Sequence, residues 1–416
     1  MSIRHFLGPY KDLPNSLFII FFARVVNSAG HFVTPLMTIF LTDRLHLNTE
    51  ETGFFLMLIS LAYVPGSMLG GKLADKLGRK KVFICFQSLA ACSFIPCAFL
   101  GDSILIPWLL IFSSLFGGAA SPANSAIVAD LTDSSNRREA YSLLYLGHNL
   151  GFAIGPLMAG FLYRRFLPLI FLGDAVTTFI SIMLVILFIP ETMPDQESMA
   201  EAHVLDSNER AERGGLLVAL FKRPILVMFI LTIMLYSFVY VQSYFTLPLQ
   251  MSKIFGVKDT AYFGLLMTTN ALTVVFCTTL IAHLTKKLKP IFCVGLGGLF
   301  YAVGFGMLFY IENLYLFVFS TFIWTLGEIL IGTNGMTYVA NNTPISHRGR
   351  FNAIFPIVAE AGHSVGPLLT GKYLLSHPIP SVWQLTLYGS LGTACLLFLL
   401  QSIETLQSRQ KEQAQV

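Results

Sequence analysis

The stretch Gly71-Lys72-Leu73-Ala74-Asp75-Lys76-Leu77-Gly78-Arg79-Lys80-Lys81 lies between two long apolar runs. It sets one acid, Asp75, among cations, where a carboxylate accepts charge-assisted hydrogen bonds. Gly71 is expected to let helices pack closely, and Gly78 supplies the permissive backbone of a tight turn. An ordinary basic loop has no reason to space Gly, Asp, Gly and Arg in this way. On either side the chain turns strongly apolar. Of 416 residues 54% are hydrophobic and only 12% charged, against about 25% charged in a soluble domain. The apolar residues come in runs near the roughly 20 residues that cross a bilayer core.

Counting outward from that loop, the expected spans are 14–41, 52–74, 81–100, 105–130, 139–162, 167–190, 224–249, 260–284, 290–311, 314–340, 351–375 and 382–403. The fold class expected is an all-α membrane protein with about twelve transmembrane helices. The run from Pro14 to Leu41 reads as the first membrane helix rather than a cleavable leader. Most of the 27 Lys and Arg fall in alternate loops, which places both termini in the cytoplasm and calls for an even number of spans. The net charge of +4 is topological and points to no nucleic-acid partner. Cys85, Cys92, Cys97, Cys277, Cys293 and Cys395 lie in apolar runs without metal-ligand spacing. No metal or cofactor is expected, and no GxxxxGK[ST] loop indicates direct ATP drive.

The chain also repeats itself. Arg137 to Gly160 reads RREAYSLLYLGHNLGFAIGPLMAG, and Arg348 to Gly371 reads RGRFNAIFPIVAEAGHSVGPLLTG. The Arg, the Gly-Pro pair and the final Gly align without a gap. The expected domains are an N-terminal six-helix bundle (1–190), a charged cytoplasmic linker (191–223) and a C-terminal six-helix bundle with a short tail (224–416). Two pseudo-symmetric bundles rocking about a midplane site are how transporters use such repeats.

The loop resembles the signature of the major facilitator superfamily, GxLaDrxGrkxx, in its usual place. Gly151-Phe152-Ala153-Ile154-Gly155-Pro156-Leu157-Met158-Ala159-Gly160 resembles the family's gxxxGPxxGG antiporter motif, with Ala159 replacing one Gly. Thr325-Leu326-Gly327-Glu328 is similar to span 10 of bacterial multidrug antiporters. The resemblance implies a secondary active transporter, working as a monomer in the cell (inner) membrane, that exports drug-like or amphipathic compounds against protons. It implies a cytoplasmic gate made of Gly71, Asp75, Gly78, Arg79 and Lys80, with Asp130 at the end of span 4 pairing with Arg79 or Lys80. The antiporter-like motif carries Gly151, Gly155, Pro156 and Gly160. The arginine that many such antiporters hold in span 4 is absent, since Ser113 and Ser114 precede Gly117-Gly118. Arg24 in span 1 is the expected substitute.

An ionisable group at bilayer depth costs about 2.5–3.5 kcal/mol on insertion scales and needs a reason. Arg24 lies about 15 Å into span 1 at 1.5 Å per residue, on one face with Asn27 and His31. Glu328 is the candidate carrier of a proton or recogniser of a cation. Glu360 and His363, one turn apart, and His148 are further candidates for coupling. Asp174, beside Thr177, Thr178 and Ser181, reads as a structural pairing. Tyr236, Tyr240, Gln242 and Trp324 are the candidate lining of an adaptable apolar cavity. Two other readings stand beside multidrug export: transport of a specific metabolite, such as a sugar or organic anion, and a membrane sensor without transport.

Overall fold

A backbone amide exposed to hydrocarbon has no water to bond, so the apolar runs become helices, which satisfy themselves. A computed structural model describes Tyr10 and residues 13–132, 136–193, 224–256, 260–342 and 348–413. Among the described residues there is no strand. The helices are α1 (Asn15–Ala29), α2 (Val33–Ile39), α3 (Thr49–Leu77), α4 (Arg79–Cys97), α5 (Leu105–Asp130), α6 (Arg137–Phe152), α7 (Gly155–Arg165) and α8 (Leu167–Phe188). They continue as α9 (Pro224–Tyr240), α10 (Thr246–Phe255), α11 (Thr260–Thr285), α12 (Pro290–Met307), α13 (Leu314–Asn342), α14 (Arg348–Tyr373) and α15 (Ser381–Gln413). Ten stretches among the described residues are long and apolar enough to cross a membrane. The expected fifth span is present as α6 and α7, broken at Ala153–Ile154, and the expected eleventh is α14. The linker expected over 191–223 lies outside the described residues from 194 onward.

Local chemistry sets the ends. Asn48 caps α3 by accepting from the Glu51 amide at 2.9 Å, and the Glu51 carboxylate accepts from the Asn48 amide at 2.9 Å, a reciprocal box that satisfies two orphan donors. The first span breaks between α1 and α2. There the buried Asp174 accepts from the Val33 amide at 3.4 Å, and Asn27 Nδ2 donates to Thr178 Oγ1 at 2.9 Å. Asp174 thus takes a backbone donor that the interrupted helix leaves unpaired.

The chain divides into two compact units, Met1–Ser198 with Met251–Val275, and Met199–Gln250 with Phe276–Val416. In the first, α1 packs on α6 and α8, and α4 packs on α5 and α8. In the second, α9 packs on α14 and α15, and α12 packs on α13 and α15. These four pairings correspond between the units, whereas the close packing of α3 on α5 in the first has no like counterpart between α11 and α13 among the described residues. Large apolar side chains point outward in both, among them Met68, Phe161, Phe276 and Tyr315, as a lipid-facing surface requires.

Close approach of backbones joins the helices. A Cβ on Gly66 would fall 2.0 Å from the Leu115 carbonyl oxygen, and one on Gly70 would fall 1.9 Å from that of Ala119. Gly71, the position singled out in sequence, would meet only Pro122 Cβ at 3.8 Å, an ordinary contact. The tight packing is therefore one residue earlier, because Gly70 and not Gly71 faces α5. Gly70→Ala is expected to destabilise the protein by about 1–3 kcal/mol through overpacking, and Gly71→Ala by less than about 0.5 kcal/mol. Thermal unfolding of both variants in detergent checks this, and equal effects would remove the packing assignment.

Candidate functional site

The loop between α3 and α4 turns at Gly78, whose φ of +101° suits glycine. Arg79, the first residue of α4, forms an ion pair with Asp130 at the end of α5, and its Nη1 donates to the Ala126 carbonyl at 3.3 Å. Both side chains are mostly covered, at 17% and 18% exposure. Lys80 turns elsewhere, its Nζ donating to the Ile186 carbonyl at 2.9 Å near the end of α8. Asp75 is exposed, and among the described residues it forms no ion pair.

A further residue, Glu191, belongs to this loop. Its Oε1 accepts from the backbone amides of Arg79 at 2.8 Å and Lys80 at 3.1 Å, and from Thr192 at 3.1 Å and Met193 at 3.4 Å. It also packs on Gly78, where a Cβ would fall 2.7 Å from Glu191 Oε2. One carboxylate thus satisfies the first donors of α4, the position where a helix favours negative charge. Desolvation raises its carboxyl, but the four amide donors outweigh this and hold it below the usual carboxylate range. Sequence reading missed it because its partners lie more than 100 residues earlier. The available signal was an acid directly after the last apolar residues of a span.

The antiporter-like segment packs through its small residues. Gly151 lies against the Val25 carbonyl and Gly155 against that of Ser28. Pro156 opens α7, where its missing amide is no loss. The Gly160 carbonyl accepts from Thr260 Oγ1 at 2.8 Å, and that of Ala153 from Thr268 Oγ1 at 2.6 Å. These contacts attach the first part of α11 to the first unit.

In the same unit His148 Nδ1 and Ser28 Oγ are 2.9 Å apart, and the His148 ring stacks on Phe152. His31 also meets Phe152. Arg24 is exposed in the protein and, among the described residues, forms no ion pair.

In the second unit the Tyr240 hydroxyl donates to Glu328 Oε1 at 3.2 Å. Tyr240 stacks with Tyr301 at 6.4 Å and meets Tyr244 and Trp324 edge-on at 6.0 Å. Tyr236, Gln242 and Trp324, expected at the cavity wall, are at most 1% exposed. Gln242 is occupied: its Nε2 donates to Thr370 Oγ1 at 3.0 Å, and its Oε1 accepts from Thr246 Oγ1 at 2.6 Å. It bridges the break between α9 and α10 to α14. Trp324 stacks on Phe305 at 5.3 Å, and the Tyr236 hydroxyl sits against Gly298. All three are therefore enclosed by protein, whereas Tyr240 and Glu328 are half-buried. Glu360 is 68% exposed, 4.0 Å from His363 Nδ1 on α14.

The sequence pattern of the Major Facilitator Superfamily matches residues 17–367 and 243–415, and the chain belongs to that family. It is 25% identical over 401 residues to YttB, an uncharacterised MFS-type transporter of Bacillus subtilis, covering 94% of each chain. It is 32% identical over 158 residues to the multidrug resistance protein MdtH of Proteus mirabilis, covering 38% of this chain and 37% of that one. Its fold matches the crystal structure of the D-xylose-proton symporter with a TM-score of 0.75, at 15% identity, covering 92% of this chain and 96% of that one. The protein is a multi-pass membrane transporter, and its family and fold are those of transporters rather than enzymes.

Two outcomes are expected at the loop. Arg79→Gln, Asp130→Asn and the double variant should give a coupling energy of about 0.5–3 kcal/mol by thermal unfolding. An additive double variant would show that the pair contributes nothing. Glu191, held low by its amide donors, contributes stability that is full above its unfolded pKa and lost as pH falls through the lowered folded value. The melting-temperature gap between wild type and Glu191→Gln should therefore be largest near neutrality and close in acid. A gap independent of pH would show that the charge is not what binds α4.

Proposed function

We propose that this protein is a proton-coupled exporter of amphipathic, cationic drug-like compounds, working by alternating access as a monomer in the cell (inner) membrane with both termini cytoplasmic. One observation carries the reading: an intramembrane carboxylate, Glu328, accepts a hydrogen bond from Tyr240 among Tyr244, Tyr301 and Trp324. Ionised, such a group attracts a cation that the nearby π-faces also favour. Protonated, it loses that attraction. Proton and cation then compete for one acid, which is the exchange an antiporter needs. The antiporter-like motif and the likeness to a multidrug resistance protein over part of the chain support export. Arg79, Asp130 and Glu191 make the loop a gate element, tied in one state and released in the other. Arg24, Asn27 and His148 on the first unit, with Glu360 and His363 on the second, remain proposed contributors to substrate or proton coupling.

Arg24 favours a second reading, a specific organic anion, because a guanidinium within a span that forms no ion pair among the described residues is otherwise costly. Inside-out vesicles separate the two. Wild-type vesicles are expected to take up a fluorescent cationic dye when an acid interior is imposed, and Glu328→Gln to take up less than about a tenth as much. Tyr240→Phe, which removes a hydrogen bond to a charged group worth about 1.5–3 kcal/mol, should weaken dye affinity about tenfold. Gradient-driven uptake unchanged in Glu328→Gln would remove Glu328 from coupling. No uptake of several dyes by folded protein, with uptake of an organic anion lost in Arg24→Gln, would establish the second reading.

A further inference from the structure

The second unit carries a groove of about 550 Å³ where the end of α15 meets the start of α12, away from Glu328 and Tyr240. It is lined by Phe398, Gln401, Ser402, Thr405 and Leu406 of α15 and by Phe292 of α12. The five α15 residues follow i, i+3, i+4, i+7, i+8 and so form one helix face. That face is mixed. Phe398 and Leu406 are apolar, with Phe398 and Phe292 5.5 Å apart between ring centres, while Gln401, Ser402 and Thr405 supply polar groups. At its edge Lys289 Nζ donates to Thr405 Oγ1 at 2.9 Å. Lys286 and Lys287 are exposed in the same turn and form no ion pair among the described residues. Glu404, an acid in the same turn of α15 as Thr405, is engaged by the Tyr338 hydroxyl of α13 and forms no ion pair with these lysines among the described residues.

Depth narrows the ligand. From Ser381 at the start of α15, 1.5 Å per residue puts Phe398 about 26 Å and Leu406 about 38 Å along the helix. A hydrocarbon core is about 30 Å thick and the headgroups extend beyond it. The groove therefore spans the boundary between acyl chains and headgroups, with its aromatic part on the chain side and its lysines on the headgroup side. A basic pocket between helices at this depth is the setting in which anionic headgroups are held.

We propose that the α12–α15 groove is a binding site for an anionic phospholipid, with one acyl chain against Phe292 and Phe398 and the headgroup phosphate against the neighbouring lysines and Lys289, which Thr405 holds in place. The site is independent of the transported substrate. The ammonium of Lys289 supplies the charge, and the Thr405 hydroxyl fixes where it stands.

Native mass spectrometry of the detergent-purified protein, titrated with phosphatidylglycerol, phosphatidylcholine or inorganic phosphate, tests the assignment. Wild type is expected to retain one phosphatidylglycerol severalfold more strongly than phosphatidylcholine. Lys289→Gln, at an exposed position, should abolish that preference, and Ser402→Trp, which fills the groove from its open side, should lower retention of both lipids. Equal retention of the two lipids by wild type, or undiminished phosphatidylglycerol binding in Lys289→Gln and Ser402→Trp, overturns the proposal. Displacement of the lipid by millimolar inorganic phosphate would overturn it in favour of a soluble anion. Circular dichroism and monodisperse elution of each variant confirm that a loss is local.

Discussion

Helices surrounded by lipid gain nothing from burying leucine against leucine, because lipid tails are equally apolar. What remains is contact between backbones, and the contact of α3 with α5 at Gly66 and Gly70 is the clearest case. Those approaches carry α3 against α5, and α5 in turn meets α4. The pair of helices that flank the Gly78 turn is therefore set by two missing side chains on α3. The Arg79–Asp130 pair depends on the same arrangement, since Asp130 is the last residue of α5.

A second constraint follows from the first. An interruption of a span frees backbone donors and acceptors that hydrocarbon cannot satisfy, and at three such breaks among the described residues the protein answers with a polar side chain from another helix or from the break itself. Asp174 serves the break between α1 and α2. Gln242, itself held by Thr246 and Thr370, donates to the Phe238 carbonyl at 3.1 Å just ahead of the break between α9 and α10. Thr268 serves the carbonyl freed at Ala153. These buried groups resemble functional intramembrane residues in composition, but their hydrogen bonds are spent on the fold. Glu328 differs: its Tyr240 partner is half-buried with it, and the surrounding rings are aromatic.

Much of this was legible in sequence. Run length marked out the spans, and beside the matched Arg and Gly-Pro of the repeat stand four helix pairings that recur in both units. What was not legible depended on direction and distance. Gly70 and Gly71 are adjacent and chemically identical, and only helix rotation shows which one faces α5. Tyr236, Gln242 and Trp324 share a segment or a plausible face with Tyr240, yet they are wholly buried where Tyr240 is half-buried. Glu191 bonds amides in a loop far earlier in the chain, and no spacing rule spans that interval. The breaks inside spans were hidden for a related reason: Gly30 and Ala153 do not themselves end a helix without Asp174 and Thr268 to receive the freed groups.

The placement of the tryptophans has an optical consequence. Of the three in the chain, Trp324 and Trp383 are wholly buried in the second unit, with Phe305 stacked against both. Trp108 belongs to the first unit and is 46% exposed beside Phe55. The native chain therefore holds two shielded emitters in one unit, one of them edge-on to the tyrosine that bonds Glu328, and one open emitter in the other. Replacing Trp108 by Phe would leave a fluorophore pair confined to the second unit, so that intrinsic emission reports the surroundings of Tyr240 without an attached dye.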